Sequence, residues 1–356
     1  MIVGYHISGV FSASIAPLAA SGVDLFFLLS GVVIEKSYAQ KLRAGLTPAE
    51  FIFSRAIRLY PLYAISILAM LLAIALAPGQ GYFLNSSSFQ VPTQNFGLLV
   101  LGSFVGVPVF NTIMMYPLNQ PAWSLFFEVI ANMVYVMLFP RLTKKVLIFI
   151  VSFSFLALVY NTIHPVDDGR VVNGLARVGF SFFLGVLLWR LKLPALPRKL
   201  PATAVIALCA MLLLLHPTGN SYTVVYPVLV AIGYPVVVYL ALQIQPSHRW
   251  RPFYQFVGDT SYPVYLLHTP LFILFFSVLA PRFGIDLEPF GTTARILFTG
   301  VLLLISWWLN RYYDAPIRQF LSGLATRTRP AAAATTPDLS SGRGGDAAHA
   351  LGLDED

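Results

Sequence analysis

His6, in the opening run MIVGYHISGVFSAS, is an imidazole inside an apolar segment. A group that titrates near neutrality can take a proton from an attacking hydroxyl and return it to a leaving group. His6 is therefore the leading candidate for a general base, with a histidine hydrogen-bonded inside a helix bundle as the plainer alternative. Glu128 lies seven residues beyond Pro121 in NQPAWSLFFEVIANMVYVMLFP, about 10 Å along a helix axis and at a depth similar to that of His6. The two are expected to meet, the carboxylate orienting the imidazole and stabilising its charged form. Pairing of Glu128 elsewhere, for example with Arg177, is the alternative. Asn132 follows Glu128 at i+4, shares its helical face, and extends a polar lining. Arg55 and Arg58 stand at i, i+3 in SRAIRLYPLY, where the third helix is expected to leave the cytoplasm. Such a pair suits a planar, bidentate grip on phosphate or pyrophosphate; anchoring at the membrane surface would use the same residues.

Weaker candidates for lining a pocket are Asp24 and Ser30 in GVDLFFLLSGVVI, Trp123 and Ser124 in PAWSLFFE, and Tyr262 and His268 in FVGDTSYPVYLLH. His268 is three residues from Tyr265, so the two share a face and either could hydrogen-bond a carbohydrate hydroxyl; packing of a Tyr-rich helix explains them equally well. Asp314, followed by Pro316 and Arg318, reads as a structural ion-pair partner. Ionisable groups at membrane depth cost about 2.5–3.5 kcal/mol on insertion scales, so they face a protein interior or a water-filled cavity. His164, Asp167 and Asp168 have poor spacing for a metal, and no metal is expected. Walker, GxSxG, HExxH and Rossmann glycine patterns are absent from the sequence, which argues against ATP-driven transport and the familiar soluble hydrolases.

The elements that must position these groups are membrane helices. Of 356 residues 57% are hydrophobic and only 11% charged, against about 25% charged in a soluble domain. The single cysteine, Cys209, excludes an intrachain disulfide framework. A net charge of +8 could point to nucleic acid, but the basic residues fall in short clusters between apolar runs, so no nucleic-acid partner is expected. Apolar runs at 1–14, 22–38, 57–77, 121–140, 145–162, 172–190, 202–215, 223–243, 259–280 and 293–313 predict an all-α, polytopic bundle of about ten transmembrane helices. The run at 96–115 is broken by Gly102, Gly106 and Pro108. If it does not fully span, every large basic cluster falls on one side, which the positive-inside bias makes cytoplasmic together with both termini. It is then a re-entrant or outer-surface element, expected to roof the site. Met1–Ser14 would reach only about 21 Å against a hydrocarbon core of about 30 Å, so the first helix is expected to begin upstream of Met1. Residues 1–322 form the membrane domain; 323–356, rich in Ala, Gly, Pro, Ser and Asp, read as a disordered cytoplasmic tail.

Five blocks in order, GYH, GVDLFFLLSGVVI, FIFSRAIRLYPLY, PAWSLFFEVIANMVYVMLFP and FVGDTSYPVYLLHTPL, together resemble the membrane acyltransferase 3 family. Its members include O-antigen and exopolysaccharide O-acetyltransferases, nodulation-factor acetylases and macrolide acyltransferases. The resemblance runs from residue 1 to about residue 320 and leaves the tail uncovered. It implies an enzyme of the bacterial cytoplasmic (inner) membrane, surrounded by membrane lipid. The reaction implied is transfer of an acyl group from cytoplasmic acyl-CoA, acetyl-CoA in the first instance, to a hydroxyl of a glycan or glycolipid acceptor. It also implies His6 as the catalytic histidine, Arg55 with Arg58 as the RxxR pair near the coenzyme phosphates, and Glu128 as the glutamate after the WSL element. One departure accompanies it: the arginine that members carry about ten residues before this histidine would fall upstream of Met1. A transporter or flippase for a lipid or glycan would also need a polar path through such a bundle, but the internal symmetry typical of that class is not seen. A catalytically inactive relative that keeps the fold is the remaining alternative.

Overall fold

The computed structural model describes residues 18–77, 95–109, 115–165, 170–194, 196, 201–217, 221–244, 248–286 and 291–327. In chain order the helices are α1 (Gly22–Arg43), α2 (Pro48–Leu76), α3 (Phe96–Val105), α4 (Ala122–Leu138), α5 (Lys144–Ile163) and α6 (Arg170–Leu191). They continue with α7 (Ala202–Leu213), α8 (Tyr222–Leu242), α9 (Arg251–Arg282), α10 (Gly291–Leu309) and α11 (Ala315–Arg327). π-helical stretches interrupt α8 at Leu229–Gly233 and α9 at Ile273–Leu279, and a third, Asn310–Asp314, joins α10 to α11. The protein is all-α among the described residues.

Seven stretches among the described residues are long and apolar enough to cross a membrane: α2, α4 with its extension to Arg141, α5, α6, α8, α9 and the α10–α11 unit. Helix α1 has 22 residues but carries Asp24, Glu35 and Lys36. Helices α3 and α7 are apolar but shorter, with 10 and 12 residues, against about 20 for a regular transmembrane helix. The opening segment with His6 lies outside the described residues, as do residues 328–356; the last helix runs past the expected boundary at 322 to Arg327.

The third expected span starts earlier than its apolar run. Pro48 occupies the first turn of α2, and Thr47 caps it: the Glu50 amide donates to Thr47 Oγ1 at 3.3 Å and the Thr47 amide to Glu50 Oε2 at 2.9 Å. This reciprocal box satisfies two amides that a helix start leaves open. Arg55 and Arg58 consequently lie two to three turns inside the helix and not at its mouth.

Helices α1 and α6 run parallel in the most extensive pairing of the bundle. A Cβ on Gly31 would sit 2.0 Å from the Phe182 carbonyl oxygen, and one on Gly185 would sit 2.1 Å from that of Leu28. Only glycine permits so close an approach, the usual device where lipid gives helices no hydrophobic drive to associate. Ion pairs flank the crossing. Arg177 donates to both Asp24 oxygens at 3.1 and 2.8 Å, and Arg190 to both Glu35 oxygens at 2.7 and 3.1 Å. Both carboxylates are buried, and each also accepts from a phenol, Tyr226 for Asp24 and Tyr135 for Glu35.

The short helix α3 packs on α2. Tyr63 donates to the Ser103 carbonyl at 2.6 Å, and Tyr116 donates to that of Gly106 at 2.8 Å. Burial, with a smaller effect of Tyr63, pushes the Tyr116 phenol above its ordinary value. Asn119 then pins the start of α4, donating to Ser66 Oγ at 2.6 Å and to the Leu266 carbonyl at 3.2 Å.

Candidate active site

Helices α1, α2, α4 and α9 enclose a cavity of about 340 Å³. Ser30 comes from α1, Arg55 and Arg58 from α2, Ser124 and Glu128 from α4, and Ser261, Tyr262 and Tyr265 from α9; aliphatic and Phe side chains complete the wall. Polar side chains in otherwise apolar helices have converged here because each avoids lipid by facing the same half-open cavity.

Glu128 is the hub. Its Oε1 accepts from Arg55 Nη2 at 3.1 Å and from Ser30 Oγ at 2.7 Å. No hydrogen bond among the described residues reaches Oε2, which is left to the cavity. Arg58 also lines the cavity, is exposed, and forms no ion pair among the described residues. It lies within electrostatic range of Arg318, Arg55 and Asp314. Asp314 itself pairs with Arg318 at 2.8 Å, in keeping with the structural role expected for it. One turn before Glu128 on α4, Ser124 shares a hydroxyl–hydroxyl bond of 2.6 Å with Tyr265 of α9, and Tyr265 also donates to the Pro121 carbonyl at 3.0 Å. Tyr262 donates to the Leu59 carbonyl at 2.7 Å. The set provides a clamped carboxylate, a guanidinium with no ion pair among the described residues and several hydroxyls, suited to holding an anionic group and handling a proton.

Four expected lining residues sit elsewhere. Asp24 is buried in its ion pair with Arg177, so Arg177 serves Asp24 and not Glu128. Trp123 stacks its ring under the Arg177 guanidinium at 5.1 Å. His268 is fully buried with Nδ1 2.7 Å from the Tyr265 carbonyl, its ring 6.1 Å from that of Tyr265. Asn132 turns to a second, apolar crevice of about 200 Å³ between α2 and α4. Its Nδ2 donates to the Glu128 carbonyl at 2.8 Å, while its Oδ1 and Arg55 Nε have no partner among the described residues. That crevice, not the main cavity, is the one walled by Phe104–Gly106 at the end of α3. The Glu35–Arg190–Tyr135 cluster and Asn119 were missed by sequence reasoning, although Glu35 stands as a lone acid in GVVIEKSY.

Residues 1–311 match the family described as "Acyltransferase domain". The chain belongs to the acyltransferase 3 family. It is therefore an acyltransferase and an integral membrane protein, and an acyl donor is part of its chemistry. Among curated relatives, "Exopolysaccharide production protein ExoZ" of Rhizobium meliloti (strain 1021) is 28% identical over 263 residues, 71% of this chain and 76% of that protein. "Protein 2 in picA locus" of Rhizobium radiobacter is 33% identical over 152 residues, 38% of this chain and 75% of that protein. No solved structure matches. The cavity around Glu128 is where most of the residues expected for the family's site come together: Arg55, Arg58 and Glu128, with Ser30, Ser124 and Tyr262.

Proposed function

We propose that this protein is an O-acyltransferase of the bacterial cytoplasmic membrane. It moves an acyl group, acetyl in the first instance, from cytoplasmic acyl-CoA to a hydroxyl of a cell-surface glycan or glycolipid. The observation that carries this reading is the Glu128 cavity, in which a clamped carboxylate and an unpaired Arg58 face the same space in an acyltransferase chain. The exopolysaccharide relative supports a glycan acceptor. In this reading His6 removes the proton as the acceptor oxygen attacks the thioester carbonyl. The coenzyme thiolate then leaves and takes that proton from the imidazolium. Glu128 Oε2 stabilises the imidazolium, and Arg55 with Ser30 holds the carboxylate in place. Arg58 offers the free guanidinium for a donor phosphate, with Arg55 beside it. The proposed topology has ten spans with both termini cytoplasmic: the seven long helices, α1, α7, and a first helix around His6.

The test is incubation of the purified protein with radiolabelled acetyl-CoA and membrane glycolipids. Label should enter glycan or lipid, and should be lost in His6→Ala and Glu128→Gln. If folded protein leaves acyl-CoA thioesters of several chain lengths unconsumed with a full membrane glycolipid extract, the reading is wrong.

A further inference from the structure

A third concavity, about 700 Å³, opens where the C-terminal ends of α1, α6 and α8 meet the first residues of α5. Lys36, Arg43, Lys144, Arg190 and Lys192 line it against one carboxylate, Glu35. That carboxylate is already taken by Arg190 and Tyr135. The other four cations are exposed, and none pairs with a carboxylate among the described residues. Cations that served only to anchor helix ends would spread around the perimeter of the bundle. Here four of them, from three helix ends, converge on one hollow.

Lys192 supplies an independent sign. It follows the last residue of α6 with φ of +48°, the left-handed conformation that helix ends normally reserve for glycine. A lysine held there accepts backbone strain while lining the hollow, and such an outlier is a reason to look for a ligand. The surroundings indicate what the ligand is. Trp189 lies under the Lys36 ammonium at 5.3 Å, and Tyr239 bonds the Pro194 carbonyl at 2.6 Å, an aromatic belt suited to a membrane interface. Leu193 and Leu242 add exposed alkyl surface. Helix α1 turns its far side to this hollow: Ala39 is nine residues, or about two and a half turns, from Ser30, and lies on the opposite face from the active-site cavity. The two concavities thus take different faces of α1.

We propose that this hollow binds the phosphate of an anionic membrane phospholipid, with Lys36, Arg43, Lys144 and Lys192 as its ligands and Trp189 and Tyr239 at the glycerol level. The site does not depend on the identity of the acyl acceptor. The test is native mass spectrometry of the detergent-purified full chain titrated with phosphatidylglycerol or phosphatidylcholine. Phosphatidylglycerol should bind one to one and about tenfold more tightly, a preference that salt weakens. The K36Q/K144Q/K192Q variant should lose the preference, K36R/K144R/K192R should keep it, and K145Q, outside the hollow, should match wild type. Excess inorganic phosphate or adenosine 3′,5′-bisphosphate should leave the bound lipid in place. Equal phosphatidylglycerol binding by the wild type and the glutamine variant would overturn the proposal. So would displacement of the lipid by either soluble anion, which would reassign the hollow to a soluble phosphate compound.

Discussion

If Glu128 is the hub of the cavity, Arg55 and Glu128 should behave as one unit, and a double-mutant cycle between Arg55→Gln and Glu128→Gln tests it. Unit charges 3.1 Å apart attract by about 5 kcal/mol at an effective dielectric of about 20. The side chains are 10% and 20% exposed, so desolvation and residual screening return part of that, leaving a coupling of about 2–3 kcal/mol. Each single variant should lose about 3 kcal/mol, because each strands a mostly buried partner, and the double variant should lose little more than the worse single. Arg58→Gln, whose guanidinium forms no ion pair with Glu128, should couple to Glu128→Gln more weakly than Arg55→Gln does, by about 1 kcal/mol or less. The assay is reversible unfolding in mixed micelles, with KM for acyl-CoA measured on the same preparations. Additive costs for the 55/128 pair, or a raised KM in Arg55→Gln with no loss of stability, would refute the pairing and leave Arg55 as a donor ligand alone.

Further outcomes follow from the α1–α6 crossing. Gly185→Ala places a Cβ about where the Leu28 carbonyl oxygen already lies, at 2.1 Å, and should cost upwards of about 2 kcal/mol in micelle unfolding. Gly258→Ala, with nothing within 4 Å of the new Cβ, should be neutral or stabilising by up to about 1 kcal/mol. Asp24→Asn leaves the Arg177 guanidinium without its counter-charge and should cost about 3–5 kcal/mol; Arg177→Met in the same chain should recover part of that loss.

The polar residues that α1, α2, α4 and α9 turn to the cavity were legible because an ionisable or hydroxyl side chain in an apolar helix has few places to go. Ser30, Arg55, Arg58, Ser124, Glu128 and Tyr262 share one cavity for that reason. Asp24 obeys the same rule but faces another way: six residues before Ser30, it lies about 120° away around α1. That rotation could have been read from the sequence. So could the start of α2, since Thr47, Pro48 and Glu50 form a capping signal ahead of the apolar run. The α1–α6 pairing was not legible. Its glycines and ion pairs acquire meaning only when residues 24 and 177, or 35 and 190, are known to be neighbours, and no local pattern encodes a register across so long a separation. Which of two arginines serves Glu128 is likewise decided by the arrangement of whole helices.

The same two ion pairs bear on how the chain is made. Asp24 and Glu35 leave the ribosome 153 and 155 residues before their arginine partners. At about 5–20 residues per second, α1 waits roughly 8–30 s with two unneutralised carboxylates. Asp24 would cost about 2.5–3.5 kcal/mol at the centre of the hydrocarbon, and Glu35, near the interface, less, so release into lipid during that interval is unfavourable. Helix α1 is therefore expected to stay beside the insertion machinery or its own neighbours until α6 arrives, when Arg177 and Arg190 supply the counter-charges.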